Sequence, residues 1–332
     1  MPTNVMATTN MKAILVSRAG GPEVLELAEL PVPQPKANEA VVKVAAAGVN
    51  SIDLYFRDGR FKTPLPFVPG QEGAGVVTAV GSEAKSVKVG DRVAWSGTLG
   101  SYAEYVTASA ATLVPVPEGV SDQDAAGAML QGLTAHYLCH DAYRLKAGDT
   151  ALILSAAGGV GLLLVQMARQ IGARVIGTVS NNEKADLARA AGADEVIIYT
   201  RTDFEAETKR LTGGEGVNVV YDGVGKDTFG KSLNVLRLRG MVVLYGASSG
   251  PVPPVDPATL SEKGSLYMAR TTLAHFTATR DELVARSGAV FGMITAGKLK
   301  LRIAKTYPLA EAPQAHRDLE ARTMTGKLLL IP

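Results

Sequence analysis

The stretch that most limits how this chain can fold is Thr150-Ala-Leu-Ile-Leu-Ser155, followed at once by Ala156-Ala157-Gly158-Gly159-Val160-Gly161 and the apolar run Leu162–Ile171. A short, almost wholly apolar run reads as a strand buried on both faces, and such strands belong to parallel sheets covered by helices. The small-residue turn lets backbone approach a ligand closely. The helix behind it offers unpaired N–H groups and the positive end of its dipole to a phosphate. The pattern is AxGxxG, with Ala156 at the first glycine position of the dinucleotide fingerprint, and the second strand Arg174–Val179 supplies the βαβ context the motif needs.

The rest of the chain falls into two rhythms. From residue 11 to about 130, short Val/Ala/Ile-rich runs (Ala13–Val16, Ala40–Ala45, Gly75–Val80, Arg92–Trp95, Tyr102–Val106, Thr112–Pro115) are separated by Gly, Pro and Asp turns, which predicts an antiparallel, barrel-like or sandwich domain. Beyond about residue 131 strands alternate with helices: Thr150–Ser155, Arg174–Val179, Glu195–Tyr199, Val217–Tyr221, Met241–Tyr245 and Ser265–Ala269 predict a six-stranded doubly wound parallel sheet. Helices expected at Thr279–Ala296 and Ala312–Arg322 and a strand at Lys327–Ile331 break that alternation, so the tail is expected to return to the first domain. The expected boundaries are 1–131 with 273–332 for the β-rich domain, and 132–272 for the dinucleotide-binding domain. A length of 332 residues accommodates both.

Cofactor choice is read at the end of the second strand, where an NAD-selective site places an acid for the ribose hydroxyls. Here Val179-Ser180-Asn181-Asn182-Glu183-Lys184 has no acid at the strand end; Ser180 and Asn181 can donate hydrogen bonds and Lys184 can meet a 2′-phosphate, so NADPH is expected over NADH. The single cysteine, Cys139, rules out an intramolecular disulfide and a four-cysteine zinc site, and suits a reducing compartment. His136, Cys139 and His140 lie together in an expected helix, but no HExxH pattern or neighbouring third ligand accompanies them, so no metal is expected. The net charge of +2 gives no sign of a nucleic-acid-binding surface. No segment has the length of apolar sequence a bilayer span needs, and residues 1–10 read as a loose extension without signal-peptide character, so a cytoplasmic location is expected.

Over nearly its whole length the sequence resembles the zinc-independent medium-chain dehydrogenases/reductases, in particular the NADPH:quinone oxidoreductase (zeta-crystallin-like) branch. The resemblance is carried by Gly20-Gly-Pro-Glu-Val-Leu25, Gly48-Val-Asn-Ser-Ile-Asp53, Pro69-Gly-Gln-Glu-Gly-Ala-Gly75, Gly90-Asp-Arg-Val93, Gly148-Asp149, the Ala156–Gly161 turn, Gln166 and Arg169. Zinc-dependent relatives carry a ligand Cys where Asn50 stands and a ligand His where Gln71 stands. What the resemblance implies is an α/β fold: a GroES-like β-rich catalytic domain plus a Rossmann doubly wound parallel sheet domain. It implies Asn50, Asp53 and Tyr55 as catalytic-site residues near nicotinamide and substrate. Gly158, Gly159, Val160 and Gly161 are implied at the pyrophosphate, and Lys184, Tyr199 and Arg322 around the 2′-phosphate. Ser180, Asn181, Tyr137, Val224, Tyr245 and Gly246 complete the implied NADPH contacts. Where close relatives have a second tyrosine toward the substrate, this chain has Phe61.

The function implied is hydride transfer from NADPH to a quinone or other electron-poor acceptor. Alternatives are an NADPH-dependent enal/enone (C=C) reductase and a non-enzymatic cofactor- or RNA-binding protein; the absence of an aromatic-interleaved basic run speaks against RNA. A homodimer is implied, by edge pairing of the expected strand Ser265–Ala269.

Overall fold

The computed structural model describes residues 9–322 and 324–332, so the first eight residues of the expected N-terminal extension lie outside the described residues. The chain divides into two compact units. The first ends at Leu130 and is completed by Thr279–Thr295 and Leu301–Pro332; the second comprises Gln131–Ala278 and Ala296–Lys300.

In the first unit β1 (Asn10–Val16) and β2 (Leu25–Pro31) form an antiparallel pair running from Asn10↔Pro31 to Val16↔Leu25. The strands β3 (Glu39–Val49), β4 (Glu72–Val80), β5 (Arg92–Ser96), β6 (Tyr105–Ser109) and β7 (Val114–Pro115) build the main sheet, and α1 (Ser51–Arg57) follows β3 directly. Bulges in the β3–β4 pairing between Val41 and Val42 and between Val44 and Ala46 bend β3, and β3 takes β6 along its first half. The helix α2 (Asp122–Tyr137) leads into the second unit.

That unit is a sheet of β8 (Thr150–Ile153), β9 (Arg174–Val179), β10 (Glu195–Ile198), β11 (Val217–Asp222), β12 (Leu236–Leu244) and β13 (Tyr267–Arg270), all parallel, in the order β10-β9-β8-β11-β12-β13. Every residue of β11 is buried, as a strand covered on both faces requires. The crossovers include α3 (Gly159–Ile171), α4 (Asn182–Ala190), α5 (Phe204–Leu211), α6 (Phe229–Asn234) and α7 (Pro257–Glu262). Strand order reverses between β8 and β11, the point at which doubly wound sheets bind ligands beyond their strand C-termini.

The chain then supplies α8 (Arg280–Thr295), β14 (Ile303–Pro308), α9 (Ala312–Ala321) and β15 (Lys327–Ile331) to the first unit. There β15 pairs antiparallel with Val49, Gly48 and Ala47 of β3, and β14 lies parallel to β15. The core of this unit gathers Trp95, Tyr102, Leu113, Tyr307 and Leu330 around the sheet's inner face.

Several expectations need correction. The strand expected at Tyr102–Val106 begins at Tyr105, because Ser101 and Tyr102 donate their N–H groups to Gly70 and Pro69 and the Tyr102 side chain turns inward. The last parallel strand is Tyr267–Arg270 rather than Ser265–Ala269; Ser265 sits in the left-handed region at φ 55 and belongs to the turn. The helix expected to reach Arg322 stops at Ala321, with Arg322 its left-handed cap. β2, α1 and β14 were not anticipated: each is no longer than seven residues, too short to display a full period, and β2 and β14 lie largely in the open.

Candidate functional site

In the parallel-sheet unit the turn after β8 carries Ser155 at φ 55, and α3 starts at the N-cap Gly158 with no side chain capping it. The first N–H groups of α3, those of Gly159, Val160 and Gly161, have no intrahelical carbonyl to bond and no N-cap side chain to accept them. A Cβ on Gly161 would stand 2.3 Å from the Ser155 carbonyl oxygen and 2.9 Å from the Ala156 backbone, so only glycine lets the turn close on itself. Uncapped donors on a helix N-terminus form a donor set that suits a pyrophosphate.

At the end of β9, Asn181 is the N-cap of α4: its side-chain oxygen accepts the Lys184 N–H at 2.9 Å, which leaves the amide NH₂ to face outward. Ser180 is bound by the Thr200 hydroxyl through its carbonyl at 2.7 Å, and the exposed Tyr199 directly follows the neighbouring strand β10. Arg201 was overlooked by sequence reasoning. Its guanidinium donates to Asn182 Oδ1 at 3.1 Å, adding a second cation to the turn that carries Lys184. This cluster fits a 2′-phosphate by the chemistry of its donors. Arg322, expected at the same phosphate, belongs to the first unit.

The remaining expected cofactor residues gather at the C-terminal edge of β11, β12 and β13. Asp222 closes β11, and its buried carboxylate accepts the N–H groups of Val224 and Gly225 and the hydroxyls of Thr228 and Ser232 at 2.8–3.0 Å, which fixes the loop holding Val224. Gly246 passes so close to this loop that a Cβ would lie 2.5 Å from the Gly223 oxygen, while the Tyr245 ring covers Gly223. Tyr137 is buried, stacked on Phe276 at 4.3 Å, with its hydroxyl 3.1 Å from Thr271 Oγ1 beyond β13.

The first unit holds a buried polar cluster that composition gave no hint of. Glu72 and Lys327, 0% and 2% exposed, are ion-paired. Glu72 also accepts the Leu130 N–H at 2.5 Å and the Asn50 amide at 2.8 Å, and Lys327 Nζ donates to Asn50 Oδ1 at 2.7 Å, so both ends of the Asn50 amide are held. A Cβ on Gly48 would lie 2.1 Å from Glu72 Oε2, so glycine there is a requirement of the pair.

Asp53, on the first turn of α1, is wholly buried. Its Oδ2 accepts the Asn50 N–H at 2.9 Å and the Tyr102 hydroxyl at 3.2 Å, while Oδ1 has no partner among the described residues. The structure thus places Asp53 behind Asn50. Burial pushes its carboxyl up to about 7, against the opposing pull of the Asn50 N–H and Lys327. The network continues from Tyr102 OH to His316 Nε2 at 3.1 Å, from His316 Nδ1 to Arg57 at 3.2 Å, and from Arg57 to Glu320 at 2.5 Å. Burial, aided by the Arg57 charge, pushes His316 down to about 3, so the ring is neutral. With Arg57 able only to donate, His316 accepts through Nδ1 and gives its Nε2 hydrogen to Tyr102, whose own hydrogen goes to Asp53.

Tyr55, on α1, is half-buried, and its hydroxyl makes no hydrogen bond among the described residues. Phe61 meets the Tyr55 ring edge-on at 5.6 Å and is 45% exposed. Gln71 is buried. His136 and His140 share a helix face with rings 4.3 Å apart, and among the described residues no three His, Cys, Asp or Glu side chains are grouped to hold a metal ion.

Comparison with known proteins follows the same division. Residues 36–118 match the alcohol dehydrogenase GroES-like domain, and residues 159–286 match the zinc-binding dehydrogenase domain. A quinone oxidoreductase of Pseudomonas aeruginosa is 45% identical over 97% of this chain and 99% of its own. The chain belongs to the quinone oxidoreductase family of medium-chain dehydrogenases/reductases. Within that family the crystal structure of Escherichia coli quinone oxidoreductase complexed with NADPH is 41% identical and superposes with a TM-score of 0.93, covering 97% of this chain and 99% of that one. A 2-haloacrylate reductase of a Burkholderia species is 40% identical over 96% of this chain and 98% of its own. The GroES-like β-rich domain with a Rossmann doubly wound domain, expected from the sequence, is the fold of the quinone oxidoreductase family and of this chain.

Proposed function

We propose that this protein is an NADPH-dependent quinone oxidoreductase. Its full-length likeness to quinone oxidoreductases carries this reading, supported by the uncapped start of α3 and by the Lys184–Arg201 cations at the end of β9, where no acid stands to favour NADH. When bound, NADPH would supply a hydride to the acceptor, which with one proton from water becomes the hydroquinone, leaving NADP⁺ as co-product. The protein binds and orients both partners and keeps water from the reacting atoms.

Gly158, Gly159, Val160 and Gly161 hold the pyrophosphate. Ser180, Asn181, Lys184 and Tyr199 serve the 2′-phosphate side, and Tyr137, Val224, Tyr245 and Gly246 complete the cofactor's surroundings. Tyr55 offers its unengaged hydroxyl to the acceptor oxygen, and Asn50, backed by Asp53, orients the reacting groups. Residues 132–272 thus serve NADPH, while 1–131 and 273–332 serve the acceptor. The chemistry proceeds without zinc: Asn50 is engaged by the Lys327 ammonium, and neither Asn50 nor Gln71 is a zinc ligand of the usual types.

A second reading, reduction of the C=C bond of an electron-poor alkene, draws support from the relative named 2-haloacrylate reductase. The deciding experiment is an acceptor screen of quinones, enones and acrylates with NADPH and NADH in parallel. Turnover of quinones with NADPH supports the first reading; turnover of alkenes alone replaces it with the second. Tyr55→Phe is expected to lower kcat/KM for the preferred acceptor, and an unchanged value removes that role.

The protein acts as a cytoplasmic homodimer. No helix among the described residues is long and apolar enough to cross a membrane. The edge strand β13 carries exposed Tyr267 and Met268, and its outer side is suited to pairing with a second copy. Light scattering on wild type and Met268→Pro tests the pairing; a dimer that survives the proline refutes it.

A further inference from the structure

We propose that Arg60 is a specificity residue that favours acceptors bearing an anionic group, a carboxylate or sulfonate, next to the reducible bond. The inference rests on the reading of Tyr55 as the residue beside the acceptor, and it names the class of acceptor that residue serves.

The guanidinium carbon of Arg60 lies 4.1 Å from the centre of the Tyr55 ring, in cation–π contact. Its position is built by the turn that closes α1. Asp58, the C-cap residue, accepts the Arg60 N–H through Oδ1 at 3.0 Å, and through Oδ2 it takes Arg60 Nε at 2.7 Å and Nη2 at 2.5 Å. Gly59, at φ 80, allows the turn, and Phe61 then brings its edge against both Tyr55 and Phe56. One carboxylate and the Tyr55 ring therefore hold a side chain that is otherwise more than half exposed, and Phe61 in turn braces the Tyr55 ring.

That arrangement leaves binding capacity unspent. Asp58 engages the Nε and Nη2 edge of the guanidinium, and Nη1 makes no hydrogen bond among the described residues, on a guanidinium that lies over the Tyr55 ring. A planar guanidinium is weakly hydrated and matches carboxylate or sulfonate geometry better than an ammonium does. The nearby carboxylate of Glu320 is held by Arg57, so Asp58 is the carboxylate that engages Arg60. Phe61 has no hydroxyl to offer an acceptor, so Arg60 provides the additional hydrogen-bond donor in this short segment. A neutral quinone draws nothing from the charge. An acceptor with an acidic substituent gains a charge-assisted hydrogen bond.

The test measures kcat/KM for 1,4-naphthoquinone-2-sulfonate and for 1,4-naphthoquinone with NADPH, and reads their ratio, in which intrinsic differences between the two quinones cancel across variants. Arg60→Leu is expected to lower the sulfonate-to-neutral ratio about ten-fold, the size of one charge-assisted hydrogen bond, mainly through KM, and Arg60→Lys to retain part of it. Raising salt from about 20 to about 300 mM is expected to lower the wild-type ratio and to leave that of Arg60→Leu unchanged. A ratio in Arg60→Leu within about two-fold of wild type overturns the proposal, as does an equal loss with both quinones. Failure of the quinone reading is seen separately, as no NADPH oxidation by the wild-type protein with the unsubstituted quinone. The same ratio is then taken with 2-chloroacrylate and its methyl ester, and if none of the four is turned over, both readings fall.

Discussion

Replacing Lys327 by methionine keeps most of the side chain's volume while removing the cation paired with Glu72. Both residues are essentially inaccessible, and among the described residues Glu72 retains the Leu130 N–H and the Asn50 amide as donors after the change. Breaking a buried ion pair from one side costs about 3–5 kcal/mol, because the remaining charge stays desolvated. The unit that contains the pair has about 180 residues, so its unfolding entropy is about 0.4 kcal/mol/K, and the loss translates into a fall in Tm of about 8–13 °C. Differential scanning calorimetry reads this directly. The double variant Glu72→Gln/Lys327→Met removes the stranded charge as well, and it is expected to recover a substantial part of the loss. If Lys327→Met melts within about 2 °C of wild type, or if the double variant is no more stable than the single, the buried pair is not holding this region and the reasoning is wrong.

Three further outcomes follow from the same geometry. Asp53, facing Glu72, Lys327 and Tyr102, keeps its proton up to about pH 7 when folded against an ordinary value near 3.8, so its contribution is present at low pH and lost as pH rises through 7. His316, facing Arg57 and Tyr102, is neutral down to about pH 3 against 6.5 when unfolded, so its contribution is present above pH 6.5 and lost on acidification. The two slopes oppose each other between about pH 4 and 6.5. Asp53→Asn is therefore expected to unmask a steep loss of stability on acidification, seen in urea midpoints; a pH profile parallel to wild type would falsify this. Gly161→Ala forces a Cβ against the Ser155 carbonyl, and it is expected to lower Tm and weaken NADPH binding in a fluorescence titration; unchanged values for both contradict the close approach. Lys184→Glu is expected to raise KM for NADPH relative to NADH by about ten-fold or more, and equal changes for the two cofactors remove Lys184 from the 2′-phosphate.

The dinucleotide half of the molecule was legible in the sequence because its signals are local. Strand, glycine turn and helix follow one another within residues 150–171, and the backbone geometry that binds phosphate is produced by those same residues. The six parallel strands could be read for a similar reason: a strand buried on both faces must be apolar along its length, as β11 is. Even there, strand ends escaped prediction where a single backbone conformation decided them, as at Ser265.

The polar cluster around Asn50 could not be read in the same way. Asn50, Asp53, Glu72, Tyr102, His316 and Lys327 are drawn from five places along the chain, and Lys327 lies 277 residues from Asn50. A lysine before an apolar strand looks like any solvated charge, and a histidine on a short helix like any surface residue. Only the antiparallel pairing of β15 with the end of β3 carries Lys327 into the interior, where its charge must be met by Glu72 because burial leaves no water to meet it. The sequence by itself determined the two rhythms, the phosphate turn and the absence of an acid at the NADPH-selecting position, since each depends on neighbours in the chain. Tertiary structure alone decided which charges are buried, which carboxyl keeps its proton and which face of Tyr55 carries a guanidinium, since each depends on the dielectric and the partners that folding brings together.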